Sequence, residues 1–178
     1  LRPLLAASAL LALAAHASVG LTVLPGRGED GPITVFYPSS AEAQAVQRGP
    51  YSFQAAQDGA PVRGNGRLVL ISHGSGGAPW TYTDLARALG GAGFIVAMPE
   101  HRGDNFKDPS TPGPRSWKRR PGEVSRAIDA LGADERFKPL VSLDKVGVYG
   151  MSPGGHTALT MGGGGWAPPR LLQRCRAH

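Results

Sequence analysis

The sequence predicts an α/β fold with a mostly parallel sheet and flanking helices, and three observations carry this prediction. Short apolar runs at 68–72, 94–98 and 146–149 are typical of strands that are buried on both faces. Segments with apolar residues at helical spacing, 80–89 and 124–131, alternate with these strands. Glycine-rich turns or loops follow the strands, at the edge where open α/β sheets bind their ligands.

The first 17 residues have the composition of a secretory signal peptide. Arg2 precedes an apolar run, and Ala15-His16-Ala17 fits the small-x-small pattern of a cleavage site. A surface-packed helix would show a polar face, which this run lacks. We therefore expect residues 1–17 to direct export to the periplasm or out of the cell, and residues 18–178 to belong to one domain.

Two short apolar runs, 19–24 and 33–37, predict strands joined by a turn rich in glycine and proline. Residues 26–31 of this turn spell GxGxxG, the spacing of dinucleotide-binding loops. That motif must follow a strand and begin a helix, whereas here it leads into another strand, so we interpret it as a turn. The polar stretch 39–66, with its Gly and Pro residues, predicts a long surface loop.

The candidate catalytic motif is Gly150-Met151-Ser152-Pro153-Gly154, which fits GxSxG. It follows an apolar strand and precedes a helical segment, and this context gives the motif its meaning. The sharp turn forces the serine into disfavoured backbone angles, which small neighbouring residues make possible. The Ser152 hydroxyl then stands exposed at the end of the sheet, as a nucleophile requires. An incidental serine in a glycine-rich turn is the alternative.

A second motif, His73-Gly74-Ser75-Gly76-Gly77, follows the strand at 68–72. Acyl transfer develops negative charge on the substrate carbonyl oxygen, and hydrolases place backbone N–H donors there. A glycine-rich turn lets the backbone approach the substrate, and Ser75 or Gly76 is the candidate donor. A phosphate-binding P-loop is excluded because no Gly-Lys-Ser/Thr sequence follows. An ordinary tight turn remains the alternative.

Six segments in a fixed order carry a family resemblance: YPSS (37–40), SHGSGG (72–77), YTDLARAL (82–89), PEHRGDN (99–105), RPGEVSRAIDAL (120–131) and YGMSPGGH (149–156). From about Ile33 onward the chain resembles the α/β-hydrolase fold. In particular it looks like the dienelactone-hydrolase-like branch, which is similar to bacterial relatives of platelet-activating-factor acetylhydrolase. The resemblance implies a serine hydrolase of esterase, lipase or lactonase type. It also implies Ser152 as the nucleophile and the backbone N–H of Ser75 as an oxyanion donor.

Two features depart from that pattern. In this fold the catalytic residues occur along the chain in the order nucleophile, acid, histidine. In this sequence no Asp or Glu follows Ser152, and neither His156 nor His178 is in a position to act as its general base. We therefore expect an inactive, N-terminal part of the domain that lacks its C-terminal strands and leaves 146–149 as an exposed sheet edge. Pro153 has no N–H, so the family's second oxyanion donor is missing as well.

Three further residues or segments have open interpretations. Asp104, beside His101 on a loop at the ligand-binding edge, could serve as an unusual acid, but we favour a charged surface residue. The basic cluster at 115–120 is interpreted as a solvated loop. Trp80 lines an acyl pocket or packs at the start of a helix.

The amino-acid composition limits the classes of protein to which this chain can belong. The 26 Gly and 16 Pro among 178 residues, with 41% hydrophobic residues, indicate a folded domain rich in loops. The single Cys175 excludes an intramolecular disulfide framework and a CxxC site. The net charge of +6 lies mainly at the two ends, which argues against a nucleic-acid binder and against an interaction protein with a basic tail.

These observations favour an exported serine hydrolase that acts on a small carboxylic ester or lactone. We expect no metal or organic cofactor, no nucleic-acid partner and no stable membrane span, because no apolar run approaches the ~18 residues that a span needs. A non-catalytic binding domain or a degenerate domain of the same fold is the alternative. The oligomeric state is not indicated by the sequence.

Overall fold

The structure is a computed structural model that describes residues 18–165 and Gln173. Its strands are β1 (Ser18–Leu24), β2 (Ile33–Ser39), β3 (Gln44–Arg48), β4 (Tyr51–Gln57), β5 (Leu68–Ser72), β6 (Ile95–Pro99) and β7 (Val146–Gly150). They form one mixed sheet in the order β3-β4-β1-β2-β6-β5-β7. A 3₁₀ turn (Pro79–Tyr82) leads into α1 (Thr83–Gly91), followed later by α2 (Pro114–Ala133) and α3 (Pro153–Met161).

The parallel part of the sheet consists of β6, β5 and β7, with β5 paired to both neighbours. Because parallel strands end at the same edge, the segments that follow these three strands lie together there. The other strands extend the sheet with antiparallel pairs between β2 and β6, β1 and β2, and β3 and β4. A short parallel pairing joins β1 to β4.

Alternate side chains of the strands pack on two cores. Ile95 and Ala97 of β6 belong to the core under α2 and α3, whereas Val96 and Met98 belong to the core under α1. Helices therefore cover both faces of the sheet, which explains why β5 and β6 are continuous apolar runs. The strands predicted at 68–72 and 94–98 are confirmed, with β6 shifted by one residue.

The long loop predicted over 39–66 is wrong, because this segment contains the β3–β4 hairpin. Its buried side chains are Val46, Phe53, Ala55 and Ala56, and most of the other side chains in the hairpin are polar. Those polar residues hid the alternation that marks a strand with one buried face. The turn between the two strands contains Gly49 at φ +55°, where glycine is favoured.

Helix α2 begins ten residues before the predicted 124–131 segment, at Pro114. Its first half buries polar residues, Ser116, Arg120 and Glu123, at helical spacing. Apolar periodicity therefore becomes visible only from Val124, which is why the sequence did not predict the earlier turns. The interpretation of 115–120 as a solvated loop is wrong, and Arg120 is completely buried.

Strand β7 lies at the edge of the described sheet and pairs only with β5. Gly147 and Tyr149 are exposed while Val146 and Val148 are half-buried, so β7 is an edge strand and not a fully buried one.

The segment 26–31 is a turn, as predicted. The predicted signal peptide, Cys175 and His178 lie outside the described residues, and no described helix is long and apolar enough to span a membrane.

Candidate active site

Ser152 occupies a strained turn between β7 and α3. Its backbone angles are φ +56° and ψ −124°, a conformation that non-glycine residues rarely adopt, and its side chain is exposed. Glycines make the turn possible: a Cβ on Gly150 would lie 2.0 Å from the Gly154 carbonyl oxygen. A Cβ on Gly154 would lie 1.9 Å from the carbonyl oxygen of Ser72, so α3 packs directly against the end of β5.

The second motif, the turn at 73–77, lies beside this serine. A Cβ on Gly74 would lie 3.8 Å from the Cβ of Ser152 and 3.4 Å from the Met151 methyl group. The two motifs follow neighbouring parallel strands, β7 and β5, which accounts for their proximity. The structure thus brings together the two candidate residues, Ser152 and Ser75, on one edge of the sheet.

The backbone of the 73–77 turn is extensively hydrogen-bonded. The carbonyl oxygen of Gly74 accepts from the Nδ1–H of His73 (2.7 Å) and from the N–H of Gly77 (3.2 Å). The N–H of Gly76, one of the two candidate donors, is already bonded to Asp104 Oδ1 at 3.0 Å. The N–H of Ser75 has no acceptor within the part of the chain that the structure describes.

Asp104 is buried, so its interpretation as a charged surface residue is wrong. Its carboxylate accepts from the Ser75 hydroxyl (2.6 Å) and the Gly76 N–H, and it pairs with Arg120 Nη2 at 2.8 Å. Burial opposes its charge, but these hydrogen bonds and the Arg120 guanidinium together hold the pKa of Asp104 below its usual value. Asp104 is therefore ionised and committed to the turn, and is not free to act as a catalytic acid.

Arg120 binds the same turn from α2. Its guanidinium donates to the carbonyl oxygen of His73 and, at 3.4 Å, to that of Gly74. Its Nε donates to Ser116 Oγ one helical turn earlier, at 3.1 Å. A buried arginine needs this many acceptors, because an unpaired buried charge is costly. No sequence pattern marks this residue, since a lone Arg in a charged segment is usually solvated.

A second hydrogen-bonded chain lies behind the turn and was not predicted. His101 Nε2 lies 2.7 Å from the Ser72 hydroxyl, and His101 Nδ1 lies 2.6 Å from a carboxyl oxygen of Glu123. Burial lowers the pKa of His101 well below its usual value and raises the pKa of Glu123. The order serine, histidine, acid resembles a catalytic triad. However, Ser72 and His101 are completely buried, so no substrate carbonyl reaches this serine.

His73 is held as one neutral tautomer. Its Nδ1–H donates to the carbonyl oxygen of Gly74, and its Nε2 accepts from the backbone N–H of His101 at 3.1 Å. Burial, with the neighbouring His101, lowers the pKa of His73 to about 3. His73 therefore serves as a fixed hydrogen-bonding group near neutral pH and does not act as a base.

The Ser152 hydroxyl has no hydrogen-bond partner among the described residues. His156, four residues further along α3, packs its ring 6.1 Å from that of Trp117 on α2. This contact borders a cavity of about 540 Å³ between the two helices. No described group of His, Cys, Asp and Glu residues is arranged to hold a metal ion.

Trp80 lies in the 3₁₀ turn that follows the 73–77 turn, so both interpretations of it stay open. The Trp80 and Phe106 rings meet edge-on, with 5.3 Å between their centres, and Phe106 is exposed. The N–H of Phe106 donates to the carbonyl oxygen of Gly77. An aromatic pair therefore borders the turn at the ligand-binding edge of the sheet.

Comparison with known proteins supports the fold. The chain is similar in structure to a ferulic acid esterase from Streptomyces cinnamoneus, with a TM-score of 0.65 and 19% sequence identity. The match covers 85% of this chain and 57% of the esterase, so the chain spans little more than half of that protein's length. No protein-family model and no curated protein matches the sequence. The likeness confirms the predicted α/β-hydrolase fold class, and the dienelactone-hydrolase-like branch stays a prediction.

Proposed function

We propose that this chain is the nucleophile-bearing part of a serine hydrolase that cleaves carboxylic esters through Ser152. One observation carries the proposal: an exposed serine in a strained strand–helix turn lies against a turn whose Ser75 N–H is unoccupied among the described residues. Strain of this kind is a feature of nucleophile elbows, where it places the hydroxyl above the sheet. An incidental serine has no reason to adopt such backbone angles.

The reaction follows from this geometry. Ser152 Oγ bonds to the substrate carbonyl carbon while its proton passes to a general base, and the carbonyl oxygen becomes an oxyanion. The Ser75 N–H donates to that oxyanion. The carbon–oxygen bond to the alcohol then breaks, and the alcohol takes the proton from the base. Water adds to the acyl-enzyme, which releases the acid and restores the serine.

The general base in this proposal comes from outside the described residues. His73 and His101 are buried and their ring nitrogens are already bonded within the protein. The α/β-hydrolase order places the acid and the histidine after the nucleophile. We propose a small carboxylic ester or lactone as substrate and export through residues 1–17. The likeness to a protein described as a ferulic acid esterase supports an ester as the substrate class.

A fluorophosphonate probe tests this proposal directly. The probe bonds covalently to a serine that a general base activates, so in a chain that carries this base we expect wild-type protein to be labelled and Ser152→Ala to be unlabelled. Ser72→Ala is the matched control, because it removes the serine of the buried chain and should keep the label. Loss of the label in Ser72→Ala with retention in Ser152→Ala would overturn the assignment of Ser152.

A non-catalytic domain of the same fold is the second candidate function. Pro153 favours it, because the residue after the nucleophile normally supplies an oxyanion N–H that proline lacks. The unpartnered hydroxyl of Ser152 in the described part of the chain favours it too. Folded wild-type protein that stays unlabelled, with no ester turnover, would support this candidate over the first.

A further inference from the structure

We propose that Arg120 and Asp104 are positioning residues that fix the Gly74–Ser75 peptide so that the Ser75 N–H faces the substrate. The inference rests on the proposed function and adds to it the part of the protein that sets the oxyanion donor. Neither residue contacts the reacting atoms. Both act through the 73–77 turn, which they bind from a helix and from the loop after β6.

The orientation of one peptide group decides whether the turn can stabilise an oxyanion. The Gly74 carbonyl and the Ser75 N–H belong to the same planar trans peptide, so they point in opposite directions. The carbonyl oxygen points inward, where Arg120, His73 and the Gly77 N–H all donate to it. The Ser75 N–H therefore points away from the interior, at the edge where Ser152 lies. A flipped peptide would present a carbonyl oxygen, which repels an oxyanion.

Arg120 fixes the orientation of this peptide through several hydrogen bonds at once. Its guanidinium spans two successive carbonyl oxygens, those of His73 and Gly74, and the Asp104 carboxylate. A planar guanidinium can bind several acceptors in a fixed geometry, whereas a lysine ammonium acts as a point charge. The core contacts of Val124, Ala127 and Leu131 anchor α2, so the guanidinium extends from a rigid element.

Asp104 holds the other end of the same turn. One carboxylate oxygen accepts from both the Ser75 hydroxyl and the Gly76 N–H, and the other oxygen pairs with Arg120. The Gly76 N–H is bound to Asp104, so of the two candidate donors only the Ser75 N–H has no acceptor among the described residues. Arg120 and Asp104 therefore determine which donor is available as well as its direction.

Hydrogen exchange at individual amides measures the orientation of this peptide without any catalytic activity. The Gly77 amide reports the position of the Gly74 carbonyl oxygen, and the Gly76 amide reports its bond to Asp104. In Arg120→Lys we expect the Gly77 amide to exchange at least about tenfold faster, the effect of losing one hydrogen bond to a charged group. In Asp104→Asn we expect faster exchange of Gly76.

Labelling kinetics connect the turn to the chemistry. In both variants we expect the maximal rate of fluorophosphonate labelling to fall at least about tenfold while the half-saturating probe concentration stays unchanged, since the oxyanion donor acts in the transition state. Asp134→Asn is the matched control: it also breaks an Asp–Arg pair, with Arg136, but at the far end of α2. It should change neither amide exchange nor labelling.

The two proposals fail in distinguishable ways. Wild-type protein that is not labelled contradicts the proposed function, and the exchange of Gly77 and Gly76 then decides the positioning roles alone. Wild-type labelling that persists at the same maximal rate in folded Arg120→Lys and Asp104→Asn overturns the positioning roles. Unchanged exchange of both amides in these variants overturns them as well.

Discussion

Pro153 combines a favourable role in folding with an unfavourable role in chemistry. As the first residue of α3 it has the backbone angle that a helix start requires and lacks only an N–H that the helix does not use. That N–H, however, is the group that would bind the oxyanion opposite the Ser75 donor. The residue after Ser152 is therefore compatible with the elbow and, under the proposed function, reduces the number of oxyanion donors.

Replacement of Pro153 by Ala should restore the second donor. In a chain that carries the general base, we expect ester turnover to rise at least about tenfold, because loss of one such donor costs about 10²–10³ in rate in a comparable hydrolase. Steady-state kinetics of the two versions measure the effect. Pro114→Ala, which also removes the first proline of a helix, is the control and should leave turnover unchanged. Equal rates for wild type and Pro153→Ala would contradict the prediction.

Single residues were predictable where they belong to a local motif. Ser152 and Ser75 follow from GxSxG and from the glycine-rich turn, and the structure places Ser152 beside Gly74, the residue before Ser75. Arg120, Asp104 and Glu123 were not predictable, because a charged residue in a polar segment is usually exposed. Only tertiary contacts over long sequence separations give these buried charges their partners.

At the scale of elements, the junction of β7 and α3 depends on glycines that differ in the space around them. A Cβ on Gly154 would lie 1.9 Å from the Ser72 carbonyl oxygen, whereas a Cβ on Gly155 would lie 3.4 Å from the Gly150 carbonyl oxygen. The first distance is impossible without a backbone shift, and the second is an ordinary contact. Two adjacent glycines at this junction thus differ in the space available for a side chain.

Substitution of these two glycines by alanine should separate the requirements. We expect Gly154→Ala to lower the free energy of unfolding by at least about 2 kcal/mol, since the end of β5 must move. Gly155→Ala should raise it by up to about 1 kcal/mol, because Ala has the higher helix propensity. Urea unfolding of both variants measures the difference. Similar stabilities for the two would show that the elbow is not tightly packed against β5.

Helices and strands were predictable from the sequence where their buried side chains are apolar. The segments that form β5 and β6 are buried on both faces, so they are short continuous apolar runs, and such runs predict strands. The β3–β4 hairpin and the first half of α2 escaped prediction because their surfaces or their buried faces are polar. Hydrophobic periodicity reports burial only when the buried side chains are apolar.

The whole molecule presents an open sheet edge in its described part. Strand β7 offers unpaired backbone groups along one side, and apolar residues such as Tyr149 and Met151 are exposed near it. Edges of this kind pair with other chains unless a charge or a covering element blocks them. Because β7 also leads into Ser152, association at this edge would take place beside the candidate active site.

We expect this chain to associate in a concentration-dependent manner through β7. Gly147→Lys should reduce the association, since lysine on an edge strand opposes pairing with a second strand. Gly147 is exposed, and within the described part of the chain a Cβ there would meet only Val69 Cγ2, at 3.9 Å, so the substitution fits the described fold. Light scattering after size-exclusion chromatography measures the mass, with Gly147→Ala as control. A wild-type chain that stays monodisperse across concentrations would contradict this expectation.

The buried chain of Ser72, His101 and Glu123 has a consequence for how active sites are recognised from atomic positions. A search for a serine, a histidine and a carboxyl group within hydrogen-bond distance of one another would select this chain, because its separations are 2.7 Å and 2.6 Å. It would pass over Ser152, whose hydroxyl has no partner among the described residues. Solvent access and backbone strain distinguish the two serines, and interatomic distances alone would choose the buried one.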